Sequence, residues 1–365
     1  MKVTFFIGSL YGGGAERVVC NIANYLYSKN KKVEIIIVSS DKKTYNLDEH
    51  ISIYSLLPSK YEKTKLLKNI IRIFRLVCYL MKNRCNTYVV MLPIPTILLL
   101  KFRKLIKGRV IVSERAEPRR YSSKNQNLLK KYCNRANLYI FQTEDVKNWY
   151  LNNGLKINYC IIPNAINENF LTYDKNIKKD KRIIGIGRLT KQKNFELLIN
   201  AFEKIKDEYS DYELIIYGDG EEKDSLTKLI DSKKMSNRVT LAGNVDNIKS
   251  EIEKAEIYVL SSDYEGMPNA LMESMALGLK CIATDCAGGG ARYLIRNNEN
   301  GILIPIGEVD SLRNAIIEMI SNEKKSKLMS ENAKKIIDVL HPEIIYKRWL
   351  NCIENGNGED NEYKI

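Results

Sequence analysis

Short runs of wholly apolar residues recur along this chain. Each gives way to a turn, and then to apolar residues at helical spacing. Val3–Ile7 leads through Gly8-Ser9-Leu10-Tyr11-Gly12-Gly13-Gly14 into Val18, Val19, Ile22, Ala23 and Leu26. Val33–Ser39, Thr87–Leu92, Arg109–Val112 and Leu138–Gln142 repeat the apolar half of the pattern. So do Leu214–Tyr217, Val239–Gly243, Ile257–Leu260, Cys281–Asp285 and Gly301–Pro305. A run of four or five apolar residues without polar alternation reads as a strand buried on both faces. Such strands alternating with helices build parallel sheets flanked by helices. With 365 residues the chain is long enough for two domains of this kind. The polar stretch Asn167–Lys181 reads as a surface linker. The expected class is α/β, with two doubly wound, Rossmann-like parallel sheets.

Composition narrows the chemistry. The formal net charge is +14, which points to an anionic partner: a nucleotide diphosphate, an anionic lipid or nucleic acid. Nucleic acid is the weakest of these, because no recognised binding motif is present. The eight cysteines are scattered without a Cys-x-x-Cys, only His50 and His341 exist, and no Asp-x-Asp occurs. Neither a zinc cluster, a redox pair nor an acidic metal-diphosphate motif is suggested, so no metal or other cofactor is expected. Met1-Lys2-Val3 runs straight into an apolar strand with no cleavage site. The longest apolar run, Tyr88–Leu100, contains Pro93 and Pro95 and is too short to span a bilayer. A cytoplasmic protein is expected.

The stretch richest in chemistry is Ser261-Ser262-Asp263-Tyr264-Glu265-Gly266-Met267-Pro268-Asn269-Ala270-Leu271-Met272-Glu273. It follows the strand Ile257–Leu260, breaks at Gly266 and Pro268, and continues as a helix that stops at Gly278. The first helical amides, at Asn269, Ala270 and Leu271, have no intrahelical acceptor and lie at the positive end of the helix dipole, where a phosphate binds. Glu265 and Glu273 flank that position. A carboxylate repels a phosphate but accepts hydrogen bonds from sugar hydroxyls. A diphosphate between two hydroxyl-bearing rings, a nucleotide sugar, fits all four features. A second cationic loop, Gly187-Arg188-Leu189-Thr190-Lys191-Gln192-Lys193-Asn194, follows another apolar strand. Arg188 and Lys193 on one loop can grip a diphosphate from both sides and stabilise it as a leaving group.

Glu265 and Glu273 with Gly266 and Pro268 between them, together with Arg188 and Lys193, resemble the signatures of retaining glycosyltransferases of family 4. Those enzymes have the GT-B fold, two Rossmann-like domains facing a central cleft. Gly12-Gly13-Gly14-Ala15-Glu16-Arg17 resembles the first loop of that family. The resemblance implies an N-terminal acceptor-side domain over 1–165, a nucleotide-sugar domain over 166–340, and a final segment 341–365 whose helix crosses back before a polar tail. It implies catalytic roles for Glu265, Arg188 and Lys193. Gly13, Gly14, Asn244, Val245, Met267, Asn269, Ala270, Leu271 and Glu273 would contact the donor, and Glu16, Glu114 and Arg115 would face the acceptor. At Arg115 the family often has His; a guanidinium cannot act as a base there. The implied reaction moves a hexose or N-acetylhexosamine, from a donor expected to be UDP-linked, to a glycan or polyprenyl-diphosphate-linked acceptor, with retention. The pattern is similar to that of bacterial enzymes of surface polysaccharide synthesis. A nucleotide-sugar epimerase, a phosphorylase-like enzyme and a non-catalytic sugar-nucleotide-binding subunit are the alternatives.

One further helix is expected over Tyr61–Arg84. Leu67, Ile70, Ile71, Phe74, Val77, Cys78 and Met81 fall on one side of its wheel, with Lys65, Lys68, Arg72, Arg75 and Lys82 on an adjoining arc. A basic amphipathic helix can lie in a membrane interface. Peripheral docking on an anionic inner leaflet is expected, with Leu98–Arg109 as a second basic-apolar contact. The competing reading is a helix packed on the first domain's sheet with a solvated cationic edge.

Overall fold

The computed structural model describes residues 1–11, 13–39, 46–58, 67–83, 85, 87–173 and 177–356. They form two compact units. Among the described residues, the first holds Met1–Asn164 and 343–356, and the second holds Ala165–Pro342.

The first unit runs β1 (Lys2–Ile7), α1 (Gly14–Ser28), β2 (Lys32–Ile37), β3 (Ser52–Ser55), α2 (Lys68–Lys82), β4 (Thr87–Met91), α3 (Pro93–Lys101), β5 (Arg109–Ser113), α4 (Ser123–Tyr132), β6 (Leu138–Phe141), α5 (Glu144–Asn152) and β7 (Tyr159–Ile161). Its seven strands are ordered β3-β2-β1-β4-β5-β6-β7 and every pairing is parallel. Val3, Phe5, Phe6 and Ile7 of the central strand are wholly buried, as the unbroken apolar run requires. Thr143 caps α5 by accepting from the Val146 amide at 3.3 Å. Two strands escape the sequence pattern. β3 is Ser-Ile-Tyr-Ser, with only Ser55 buried, because an edge strand needs no continuous apolar run. β7 has three residues, and its sequence reads as a turn.

The helix expected over 61–84 is described from Leu67, and Lys65 lies outside the described residues. The packed-helix reading is realised on one face. Leu76, Tyr79 and Leu80 are buried against the sheet. Leu67, Ile70, Ile73, Phe74 and Met81 are 52%, 64%, 40%, 67% and 72% exposed, so an apolar face remains in water. The cationic arc is not as expected. Arg72 donates from Nε to the Val38 carbonyl at 3.1 Å, and Arg75 donates from Nε and Nη2 to the Ser55 carbonyl at 3.2 and 3.0 Å. These arginines satisfy carbonyls at the ends of neighbouring strands, which ties α2 to the sheet. The stretch Leu98–Arg109 is also mainly structural. Leu99, Leu100 and Ile106 are buried, leaving Leu105 and the lysines at 101, 104 and 107 outward.

The second unit runs β8 (Arg182–Ile186), α6 (Phe195–Glu203), β9 (Glu213–Tyr217), α7 (Lys223–Ser232), β10 (Val239–Gly243), α8 (Ile248–Lys254), β11 (Ile257–Leu260), α9 (Asn269–Ala276), β12 (Lys280–Thr284), α10 (Gly290–Leu294), β13 (Ile302–Ile304), α11 (Val309–Ser321), α12 (Glu323–Ala333) and α13 (Ile336–Leu340). Six parallel strands are ordered β10-β9-β8-β11-β12-β13. The last helix, α14 (Pro342–Asn355), belongs with the first unit from Glu343 on. It is held there by Arg109 Nη2 donating to the Cys352 carbonyl at 3.0 Å and by the Tyr25–Tyr346 ring contact at 5.3 Å.

Candidate active site

In the second unit the chain leaves β8 toward β9 and β10 on one side, then returns to β11 on the other. Loops leaving the carboxyl ends of two such strands diverge and open a crevice, the usual ligand position in an open α/β sheet. Here those loops are 187–194 and 261–268, the two that carry the charged motifs.

Hydrogen bonds stitch them together. Ser261 Oγ donates to the Lys193 carbonyl at 2.8 Å, and the Asp263 amide donates to the Gln192 carbonyl at 2.9 Å. Gln192 Nε2 donates to the Tyr264 carbonyl at 2.9 Å. Asn194 sits in the left-handed region at φ 45°, accepts from the Leu197 amide at 3.2 Å to cap α6, and donates Nδ2 to Asp263 Oδ1 at 2.8 Å. Asparagine is among the few side-chain-bearing residues that adopt this backbone at modest cost, and its amide serves cap and cross-link together. Across this frame Lys193 Nζ reaches Glu265 Oε1 at 2.5 Å, and Ser262 Oγ donates to the same oxygen at 2.9 Å. Glu265 is 9% exposed. A carboxylate that deep needs a partnered charge, and Lys193 supplies it. Arg188 is exposed on the same loop and has no ion-pair partner among the described residues.

A third strand end supports the Glu265 loop. The Glu265 amide donates to the Ala287 carbonyl at 3.0 Å, and Thr284 Oγ1 donates to the Ser262 carbonyl at 2.5 Å. Gly290, opening α10, lies so close that a Cβ on it would sit 1.8 Å from the Gly266 carbonyl oxygen. Pro268 is the N-cap of α9, and the first intrahelical bond there is Met272 N to Pro268 O. The amides of Asn269, Ala270 and Leu271 therefore precede the helical ladder. Glu273 and Met267 are buried at 7% and 6% exposure. Asn244 and Val245 are exposed on the loop after β10. Thus Arg188, Lys193, Glu265, Met267, Asn269, Ala270, Leu271 and Glu273 all lie on the β8 and β11 loops or on α9. Asn244 and Val245 follow β10 at the same edge of the sheet.

The first-unit residues are arranged differently. Glu16, in the first turn of α1, folds its carboxylate onto the N-cap Gly13; its Oε2 lies 1.9 Å from where a Gly13 Cβ would stand. Gly14 opens the helix and is exposed. Glu114 and Arg115 point inward. Glu114 Oε1 accepts from Tyr121 OH at 2.6 Å and from the Arg115 and Ala116 amides at 3.0 and 3.3 Å, and its Oε2 accepts from Tyr150 OH at 2.5 Å. Burial pushes its pKa up, and the tyrosine hydrogen bonds oppose that rise. The Arg115 guanidinium lies 5.0 Å from the Trp349 ring centre and donates Nη1 to Asn164 Oδ1 at 3.1 Å. Burial lowers its pKa to about 9. These two side chains order the loop after β5. Sequence reasoning gave no role to Ser262, Gln192, Asn194 or Asp263, which position Glu265 and Lys193, and their adjacency to the charged motifs was the only signal; Gly290 reads from sequence as part of a glycine turn, 288–292, facing the same crevice, with no sign of its contact on Gly266.

Residues 12–170 match the model of Glycosyltransferase Family 4, and residues 169–336 match that of glycosyl transferases group 1. The N-acetylgalactosamine-N,N'-diacetylbacillosaminyl-diphospho-undecaprenol 4-alpha-N-acetylgalactosaminyltransferase of Campylobacter jejuni is 31% identical over 352 residues, spanning 91% of this chain and 94% of that protein. This chain is a family 4 glycosyltransferase. A second C. jejuni enzyme, GalNAc-alpha-(1->4)-GalNAc-alpha-(1->3)-diNAcBac-PP-undecaprenol alpha-1,4-N-acetyl-D-galactosaminyltransferase, is 25% identical over 97% of this glycosyltransferase and 98% of its own length. Among solved structures, HepE of Anabaena in complex with UDP superposes with a TM-score of 0.82 at 17% identity, covering 97% of this chain and 99% of that one. The fold of this family 4 glycosyltransferase is GT-B.

Proposed function

We propose that this glycosyltransferase moves a hexose or N-acetylhexosamine from a UDP-linked donor to a polyprenyl-diphosphate-linked glycan in surface polysaccharide synthesis, with retention of anomeric configuration. The observation that carries the reading is the Lys193–Glu265–Ser262 cluster at the β8/β11 reversal, beside the start of α9. Both C. jejuni relatives are named as transferring N-acetylgalactosamine to diphospho-undecaprenol-linked glycans, and HepE was solved with UDP. These support the donor and acceptor classes.

In this reading Arg188, Lys193 and the amides of Asn269, Ala270 and Leu271 hold the diphosphate. Glu273 accepts from the ribose hydroxyls, and backbone at Asn244 and Val245 meets the base. The bond from the anomeric carbon to the diphosphate oxygen breaks with its electron pair leaving on the diphosphate. The acceptor hydroxyl bonds to the anomeric carbon from the same face and gives its proton to the departing phosphate oxygen. Glu265 stabilises the positive charge that develops on the sugar. Lys193, already 2.5 Å from Glu265, is placed to share its charge with the leaving group, so one cation serves both anions. No metal or cofactor is assigned a part. A thermal-shift panel with UDP, GDP and ADP tests the donor: UDP should raise the melting temperature, since a ligand bound only by the folded state stabilises it. A shift with GDP alone overturns the assignment.

The same reading places the enzyme peripherally on the cytoplasmic leaflet. No helix among the described residues is long and apolar enough to cross a membrane, and the exposed apolar face of α2 supports docking. Because Arg72 and Arg75 bond to backbone carbonyls, the surface charge is carried by Lys68, Lys82 and the exposed lysines at 101 and 104. Each is worth about 1 kcal/mol near an anionic surface.

A further inference from the structure

We propose that Cys160 and Cys352 form a reversible disulfide when the protein meets peroxide, and that this bond clamps the last helix to the first unit. The two residues stand 192 positions apart in the chain, so no sequence spacing pairs them. The fold brings their Sγ atoms to 3.3 Å, and both residues are 2% exposed. A disulfide needs about 2.05 Å between its sulfurs, which leaves about 1.3 Å to close.

Their elements allow that approach. Cys160 is the middle residue of β7, a three-residue strand paired on one side only, with Ile140 of β6 beside Cys160. A short edge strand shifts more readily than a central one, because a single ladder holds it. Cys352 lies on α14, which is already tied to this part of the sheet. Arg109, at the start of β5, donates Nη2 to the Cys352 carbonyl at 3.0 Å, and Arg348 of α14 donates to the Ile161 carbonyl next to Cys160. The Arg115 guanidinium lies 5.0 Å from the ring centre of Trp349, one turn before Cys352, and the charge of Cys160 acts on it. A guanidinium beside a buried thiol favours the thiolate, which is the reactive form.

Burial selects the oxidant. A bulky disulfide reagent does not reach sulfurs this deep, whereas hydrogen peroxide is small and uncharged. The Cys160 thiolate attacks one peroxide oxygen; the O–O bond breaks, Cys160 becomes a sulfenic acid, and the hydroxide that leaves takes up a proton as water. The Cys352 sulfur, having lost its proton, then attacks Cys160; the S–S bond forms and the sulfenic oxygen leaves as a second water. Together the two thiols lose two protons and two electrons, and one peroxide becomes two waters. The chain leaves the first unit after Asn164 and returns at Glu343, so the bond joins exit to re-entry and closes a loop that holds the whole second unit. Closing so long a loop removes entropy from the unfolded chain and favours the folded one.

The test uses the full chain, reduced and then treated with hydrogen peroxide. After the remaining thiols are alkylated, peptide mass spectrometry without reduction should show a Cys160–Cys352 linked pair, two hydrogens lighter than the separate peptides. The melting temperature should rise by about 5 °C and fall back with dithiothreitol. Cys160→Ser and Cys352→Ser should each lose this reversible rise. It is read as the difference between oxidised and reduced protein of the same variant, so any change in stability from the substitution itself cancels. Absence of the linked pair once the half-buried Cys78 has been oxidised overturns the inference. So does a linked protein that melts no higher than the reduced one, or a rise that survives either substitution.

Discussion

Gly290→Ala separates the geometry of the Glu265 loop from its composition, because Gly290 touches no substrate in the proposed reaction. The added Cβ would lie 1.8 Å from the Gly266 carbonyl oxygen, 2.7 Å from Pro268 Cδ and 2.9 Å from the Gly266 carbonyl carbon. Ordinary contact between such atoms begins about 1.6 Å farther out than the closest of these. The obstacle is backbone, so no rotamer change relieves it. The loop is also tethered at the Glu265 amide by Ala287 O at 3.0 Å, so displacement of Gly266 drags Glu265 with it. Overpacking of this kind costs about 1–3 kcal/mol, which is about 2–10 °C in melting temperature for a domain of this size. A shift of about 1 Å at a reacting group costs about 100-fold in rate. Transfer should therefore fall about 100-fold in a protein that still folds, read by UDP release at saturating donor and by differential scanning fluorimetry. Gly8→Ala, whose Cβ would meet nothing within 4 Å, should stay within about 0.5 kcal/mol of wild-type stability. A Gly290→Ala enzyme with transfer within twofold of wild type would refute the claim that this contact sets the position of Glu265.

Three other outcomes follow from the same geometry. Lys193→Met should lower both transfer, by about 100-fold, and stability, because it leaves the Glu265 carboxylate without its counter-charge; the double variant Lys193→Met/Glu265→Gln should recover the stability but not the activity, and calorimetry showing no recovery would contradict the pairing. Glu114→Gln probes a carboxyl whose pKa is raised by burial: its contribution to wild-type stability is full below the unfolded pKa and is lost as pH rises through the folded one. The Gln variant should therefore gain relative to wild type from about pH 4 upward, and a difference that stays flat with pH in denaturant titrations would count against it. Ile70→Ser/Phe74→Ser/Met81→Ser should pellet less with anionic vesicles than wild type at low salt, and wild-type binding should weaken as salt is added; equal pelleting of the two proteins would remove α2 from the docking surface.

The fold was legible because buried parallel strands need apolar runs, and Phe5-Phe6-Ile7 or Ile257-Tyr258-Val259-Leu260 have no other economical use. Edge strands lack that requirement, so Ser52–Ser55 and Tyr159–Ile161 were not visible. The charged motifs were legible as pairs of charges at fixed offsets from a strand end, and the structure brings Lys193 and Glu265 of the two loops together. Their supports were not, because the bonds from Ser261, Asp263 and Gln192 join loops about 70 residues apart, a pairing that local pattern does not encode. The helical wheel of α2 gave its apolar face but misjudged Arg72 and Arg75. A wheel treats every cation as solvated, whereas carbonyls at the ends of β2 and β3 were within reach. Glu114 and Arg115 show the same gap, since adjacency to a strand end says nothing of whether a side chain turns in or out.

Time-resolved proton NMR of the first-formed product, from UDP-α-N-acetylgalactosamine and a polyprenyl-diphosphate-linked N-acetylhexosaminide, tests the central claim most directly. The account predicts an α-linked product from wild type, with the rate lowered at least 100-fold in Glu265→Gln while UDP still raises the melting temperature of that variant. A β-linked product, or α-transfer by Glu265→Gln at the wild-type rate, would contradict it.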